Sequence, residues 1–455
     1  MNVAEVETAK ASPLYVLFVS LVAATSGLLF GFDIAVINGA IVFLRKQWRL
    51  TEWQTEYAAS SLLVGCVFGA ACGGWVSDRL GRKKALFLSA ILFTLSALGA
   101  ALPRNLTEFA AARFAGGIAI GAASVLAPMY IAEVSPARIR GRLVSLNQMT
   151  IVTGILLSYF VNWVLSYSGP ESWRWMFAVA ALPSVTFFVA LFFVPESPRW
   201  LVEAGREREA FGVLARVNGA VIAGQELGSI RAAVAEETGT LRELIEPGVR
   251  RALVVAVVLA VMQQWTGVNS VLFYGSVILT EHVGGHTGSA ALGANVLIGL
   301  INFLMTFVAI ALIDKAGRKA LLIASSAAMG ACLAGMAVAF RMAQPPAYLV
   351  IALMLMAVAS FAAGLGPGVW VVLSEIFPNR IRGRAMSIAT VSLWVACAVL
   401  TMTFLTISRL TGPSGAFLLY SGMCAFTAFF VWRFTPETRG RTLEEIEKLW
   451  KRRQQ

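Results

Sequence analysis

The feature that most constrains this chain is a series of long apolar runs with almost no charge inside them. Leu14 to Leu44, Ala85 to Leu102, Val144 to Val164 and Phe177 to Val194 are examples. Each approaches or exceeds the roughly 20 residues that a helix needs to cross a bilayer. The chain is 58% hydrophobic and 14% charged, whereas a soluble domain is about 45–50% apolar and about 25% charged. In lipid every backbone amide must be satisfied within the protein, which leaves helices or a closed barrel. No run alternates with period two, so strands are excluded. The expected fold class is an all-α membrane protein.

Twelve transmembrane helices are predicted, near 14–44, 57–77, 84–103, 107–132, 141–165, 174–194, 252–280, 289–313, 319–342, 346–374, 384–409 and 415–434. Glycine, proline and serine inside these runs are ordinary where neighbouring helices re-satisfy the backbone. The net charge of +12 comes from 37 Lys and Arg, and their placement decides its meaning. With the N terminus in the cytoplasm, all fall on that side except Arg45, Lys46, Arg49, Arg104, Arg174, Arg341 and Arg409 outside, and Arg113 within a span. That asymmetry follows the positive-inside rule and predicts a multi-pass protein of the cell membrane with both termini cytoplasmic. Its surroundings are then the lipid bilayer, and nucleic acid is not a partner. Cys66, Cys72, Cys332, Cys397 and Cys424 stand singly in apolar runs without metal or redox spacing, as packing residues do. The first run is too long for the core of a cleaved signal peptide and is expected to stay.

Self-comparison shows a duplication. "DRLGRKKAL" from Asp78 matches "DKAGRKALL" from Asp314, "EVSPARIRGRLVS" from Glu133 matches "EIFPNRIRGRAMS" from Glu375, and "PESPRWL" from Pro195 is echoed by "PETRGRT" from Pro436. Three matches in one order at nearly one offset predict two pseudo-symmetric six-helix bundles. The implied domains are a cytoplasmic tail over 1–13, a first bundle over 14–194, a cytoplasmic helical linker over 195–251, a second bundle over 252–434 and a tail over 435–455. The linker is polar enough for short amphipathic helices. The last tail is too short for a signalling domain.

These motifs, with "QQWTGVN", make the chain similar to the sugar porter family of the major facilitator superfamily. The resemblance covers essentially the whole chain. It implies twelve helices in two bundles, a central sugar site and alternating access, with a monomer sufficient.

Asp33, in "GLLFGFDIAVING", is an acid in mid-span, which costs at least about 2.5–3.5 kcal/mol unless it faces a cavity, pairs with a cation or is protonated. Arg113, in "AARFAGGIAIG", is the only basic residue well inside another span and the natural partner. One reading is a static pair joining the first and fourth helices. The other is a proton switch, because burial favours the neutral acid while the arginine favours its ion. Proton-coupled members of the family resemble this chain in carrying the aspartate, whereas animal glucose facilitators have asparagine. The resemblance therefore implies proton symport.

"QQWTGVNSVLFYG" places Gln263, Gln264 and Asn269 at the start of the second half. Amides suit sugar hydroxyls because each offers donor and acceptor. On an ideal helix Gln264 and Asn269 lie about 140° apart, so a loosening at Thr266-Gly267 is expected to turn Asn269 inward. The resemblance adds Gln148 and Asn302 beside the sugar. Trp370, after Gly364, Gly366, Pro367 and Gly368, is expected to cover an apolar sugar face beside a hinge. Trp394, Phe30 and Tyr274 are further candidates for either packing or the sugar. Ile155 and Leu393 stand where relatives have amides, which leaves hexose, pentose, polyol and cyclitol open as substrates.

At the cytoplasmic ends Glu133 with Arg140, Glu375 with Arg382, and Asp78 with Arg82 recur symmetrically, Asp314 and Arg318 being the counterparts of the last pair. Joined by Glu196, Arg199 and Glu437, they are expected to form a gate of individually weak ion pairs that opens as the bundles rock. No phosphate loop, nucleophile arrangement or metal cluster is visible. His282 and His286 fall in an outward loop whose glycines disfavour a metal-binding helix. No cofactor or metal is expected, and the chain is not read as an enzyme. A proton-coupled sugar or polyol importer leads, with a uniporter using the same site and a membrane sugar sensor as alternatives.

Overall fold

The computed structural model describes residues 12–439 except 137, 237–242, 244–245, 283–287, 343 and 378–380. The described residues are almost entirely helical, with no strand among them. Ten apolar helical stretches cross the molecule in turn: Pro13–Trp48, Glu52–Leu80, Arg82–Ala101, Leu106–Val134, Arg140–Ser168, Ser172–Phe193, Gly248–Thr280, Ala290–Ile313, Arg318–Ala339 and Ala347–Glu375. They are called here the first to tenth spans. The last stretch, Gly383–Phe434, has 52 residues. At 1.5 Å per residue that is about 78 Å, more than twice the hydrocarbon thickness of a bilayer. It breaks at Gly412 (φ 72°, ψ 161°), just before Pro413, and its two parts are the eleventh and twelfth spans.

The helix starts follow local chemistry. Ser12 accepts from the amide of Tyr15 ahead of Pro13, and Thr51 and Gln54 form a reciprocal capping box that begins the second span. The second span thus starts at Glu52, several residues before the hydrophobicity suggests, because the cap and not the apolar run fixes the boundary.

In the first bundle the first span packs on the fifth and the second on the fourth. A Cβ on Gly31 would lie 1.9 Å from the Ile151 carbonyl oxygen, and one on Gly154 would lie 2.1 Å from that of Leu28. Two glycines let these backbones touch, as small residues do where lipid gives helices no hydrophobic drive to associate. In the second bundle Ser414 and Ser421 donate to the carbonyls of Ala337 and Gly330 at 2.6 and 2.8 Å, tying the twelfth span to the ninth. The outside is apolar: Leu95, Leu182, Phe192, Phe193 and Trp432 are all more than half exposed. A continuous belt of that kind is stable only against hydrocarbon, so the chain is a multi-pass membrane protein.

Between the bundles lie three short helices, Pro198–Glu203, Glu207–Asn218 and Ala220–Glu236. They bury small apolar clusters of their own, around Leu201 and Ala210 and around Leu214 and Ala223. The linker leaves the sixth span and enters the seventh at the end of the molecule where the first span begins, called the terminal end below.

Candidate functional site

Asp33 and Arg113 are both buried and face each other across the first and fourth spans. Arg113 Nη2 donates to the Asp33 backbone carbonyl at 2.7 Å, and Nη1 reaches the carboxylate Oδ1 at 3.3 Å. Charge-assisted contacts are usually about 2.7–2.9 Å. The guanidinium is therefore anchored on the main chain and touches the acid only loosely. Its Nε is buried without a partner, and the ring of Phe177 lies 5.2 Å from its centre.

The seventh span breaks where the sequence predicts it. Its helix stops at Trp265, Gly267 takes φ +87°, and a new helix starts at Val268. The break brings Asn269 back beside Gln264, and the three amides form a chain. Asn269 Nδ2 donates to Gln264 Oε1, and Gln264 Nε2 donates to Gln263 Oε1 at 3.2 Å. Gln263 Nε2 ends the chain on the carbonyls of Leu365 and Gly366, both at 2.9 Å. Those carbonyls lie where the tenth span widens into a π-turn over Phe361–Leu365, ahead of Pro367. Gln263 is thus a brace between two irregular helices, and it orients Gln264 and Asn269. Asn269 also donates to Cys397 Sγ at 3.2 Å on the eleventh span.

Trp394 and Phe30 meet across the two bundles with ring centroids 5.5 Å apart, and Trp394 Nε1 is buried with no partner. Leu393 and Ile155 are buried and apolar. Asn302 is buried on the eighth span, while Gln148 and Trp370 are half-buried on the fifth and tenth. Among the described residues no hydrogen bond or ring contact joins these three to the amide chain. Tyr274 belongs elsewhere: its hydroxyl donates to the Thr401 carbonyl at 2.8 Å and its ring stacks on Phe404.

The polar contacts between bundles were not visible in the sequence. Asn38, one turn beyond Asp33, donates to the Leu272 carbonyl at 2.7 Å and accepts from Ser276 N and Asn295 Nδ2 at 3.1 and 3.0 Å. Tyr159 donates to the same Leu272 carbonyl at 2.8 Å. Glu56 accepts from Thr406, and Glu52 meets Arg409 at 3.4 Å. Between described residues of the two bundles, every side-chain hydrogen bond lies in the half away from the termini, called the far end below. The only signal was an amide and an acid in otherwise apolar runs, "AVINGA" and "QTEYAAS".

At the terminal end the expected pairings are corrected. Glu133 meets Arg82, at 3.1 Å from Nε and 3.3 Å from Nη2, instead of Arg140. Glu133 closes the fourth span, and the chain reversal at Ser135 turns Arg140 onto the Ser135 carbonyl at 3.5 Å. Arg82, the first residue of the third span, comes beside Glu133 and also meets Asp78 at 3.2 Å, as expected. The second bundle repeats this, with Arg318 Nε and Nη2 on Glu375 at 3.3 and 3.0 Å. The side chains of Asp314 and Arg382 and the loop with His282 and His286 lie outside the described residues. Glu196 accepts from Lys83 N, and Glu437 accepts from Arg318 N and Lys319 N. Each carboxylate sits at a helix start, where the dipole favours it. Burial works against the Glu437 charge, but the amides of Arg439, Lys319, Arg318 and Thr438 outweigh it and hold the carboxyl below its ordinary range. Arg199 meets Glu203 at 3.4 Å. The described contacts on Arg82 and Arg318 brace each bundle, the first together with the start of the linker.

A polar centre between two bundles whose described side-chain hydrogen bonds to each other lie at the far end is the build of a membrane transporter. The chain matches the sugar (and other) transporter family over residues 19–450 and belongs to it. It is 38% identical to the arabinose-proton symporter of Bacillus subtilis over 443 residues, covering 96% of this chain and 95% of that one. It is equally identical to the D-xylose-proton symporter of Escherichia coli, with 96% of each covered. The structure of the xylose transporter XylE from E. coli in a partially occluded inward-open conformation superposes with a TM-score of 0.84 at 36% identity, covering 94% of this chain and 100% of that one.

Proposed function

We propose that the protein imports a sugar, a hexose or pentose, or a polyol, together with a proton, by opening its two ends alternately. The observation that carries this is the loose contact of the Asp33 carboxylate to an arginine held by the main chain. Neutralising the acid releases one 3.3 Å contact while the 2.7 Å contact to the carbonyl remains. The charge can therefore change without detaching the first span from the fourth. Relatives named as arabinose- and xylose-proton symporters support the same reading.

Gln264 and Asn269 bind substrate hydroxyls, pre-oriented by Gln263. Trp394, with its unpartnered indole N–H, and Phe30 line the site, and Gln148, Asn302 and Trp370 complete it. Leu393 and Ile155 add an apolar wall. Both termini are cytoplasmic in this reading, which the bias of the basic residues supports, so the far end faces outward and the described conformation is closed to the outside. The bundles are residues 14–194 and 252–434, and one copy suffices. The terminal-end clusters on Arg82 and Arg318 change partners when that end closes.

The test is uptake of labelled sugars and polyols into proteoliposomes, with and without a proton gradient, for wild type and Asp33→Asn. The variant is expected to lose accumulation against a gradient and to keep counterflow exchange. Unchanged concentrative uptake would refute the role of Asp33.

A further inference from the structure

Glu56 is a second acid inside the membrane-spanning region, and nothing above gives it a task. It lies one turn into the second span and is 1% exposed. Its carboxyl meets two consecutive residues of the other bundle: Thr406 N donates to Oε1 at 2.8 Å and Thr406 Oγ1 lies 2.7 Å from Oε2, while the Leu405 amide also faces it. Among the described residues no cation is in ion-pair contact with it. The charged and titratable groups that face it are Glu52 on its own helix, Tyr274 on the seventh span and Tyr420 on the twelfth. Arg409, on the eleventh span, is engaged with Glu52.

A carboxylate ion sealed away from water without a cation is costly. The neutral acid satisfies the same geometry. Its carbonyl oxygen accepts from Thr406 N–H, and its O–H donates to Thr406 Oγ1, because a hydroxyl serves equally as donor or acceptor. Once the second and eleventh spans part, water reaches the group, and a hydrated carboxylic acid is ionised at neutral pH.

We propose that Glu56 is a second proton-binding site, which takes up one proton from the far-side water as the far ends close and returns it as they open. The step is a protonation of the carboxylate and nothing else. Its consequence is linkage: with one proton bound on closing, the closed-to-open ratio falls as pH rises, by up to tenfold per pH unit over the titrating range. Acid on the far side then favours closure around a bound substrate, independently of Asp33. The proposal rests on alternate opening of the two ends but not on the identity of the sugar.

Trp53 and Leu410 are 66% and 79% exposed, at the far ends of the second and eleventh spans. Spin labels on cysteines at these positions report the far-end distance, in a background with Cys66, Cys72, Cys332, Cys397 and Cys424 replaced by alanine and with Asp33→Asn to silence that acid. Between pH 5 and 8, with xylose or arabinose present, the share of short distances is expected to fall as pH rises. Glu56→Gln keeps both contacts with a neutral group and is expected to stay short and pH-independent; Glu56→Asp is expected to restore the slope. An unchanged slope in the Gln variant overturns the proposal and leaves alternate opening intact. A single distance in every variant and condition overturns alternate opening, and this proposal with it.

Discussion

At the scale of single residues, the amide chain makes its members unequal. Gln263 spends its donor on two main-chain carbonyls, whereas among the described residues no hydrogen bond is made to the Asn269 carbonyl oxygen. Removing a buried hydrogen-bonding group that meets a ligand costs about 1–3 kcal/mol, and about 1.4 kcal/mol is tenfold in affinity. Asn269→Ala is therefore expected to raise the substrate KM by about tenfold or more, with Vmax less affected, in uptake kinetics. Gln263→Ala is expected to lower Vmax and raise KM together, because it frees the π-turn of the tenth span as well as the orientation of Gln264.

At the scale of elements, the break in the seventh span was legible in the sequence and the seal at the far end was not. Thr266-Gly267 announces itself locally, since Gln264 and Asn269, five positions apart, cannot share a helix face without an irregularity. Asn38 and Leu272 lie 234 positions apart, and Glu133 and Arg82 lie 51 apart. Which polar group meets which across such separations depends on tertiary packing, and charge order along the chain misassigned Glu133 to Arg140. Gly267 gives the break a direct test. A Cβ there would sit 2.7 Å from Tyr420 Cγ, and φ +87° costs a non-glycine residue about 1–2 kcal/mol besides. Gly267→Ala is expected to lose most transport and to lower the thermal unfolding midpoint in detergent.

At the scale of the whole molecule, duplication, span count and membrane solvent are read from periodicity, repeats and charge, and the superposition on the xylose transporter agrees with the helical membrane fold. The conformation does not follow from them, because one sequence must serve every state of a cycle. In this state the far ends are held by a small set of contacts centred on Asn38. Asn38→Ala removes contacts to the Leu272 carbonyl, Ser276 and Asn295 at once. It is expected to shift the resting population toward the far-open state, read as faster modification of a far-end cysteine by a membrane-impermeant thiol reagent.

The paired glutamates at the terminal end have one more consequence. Each half is buckled by the segment that leaves its own last helix, Ser197 on Glu133 in one and Thr438 on Glu375 in the other. Both straps are thus local to the half they fasten. A gene cut within the linker and expressed as two polypeptides is therefore expected to yield pieces that find each other in the bilayer and restore uptake, whereas deleting the chain from Thr435 onward is expected to leave the second piece unfastened and rapidly degraded.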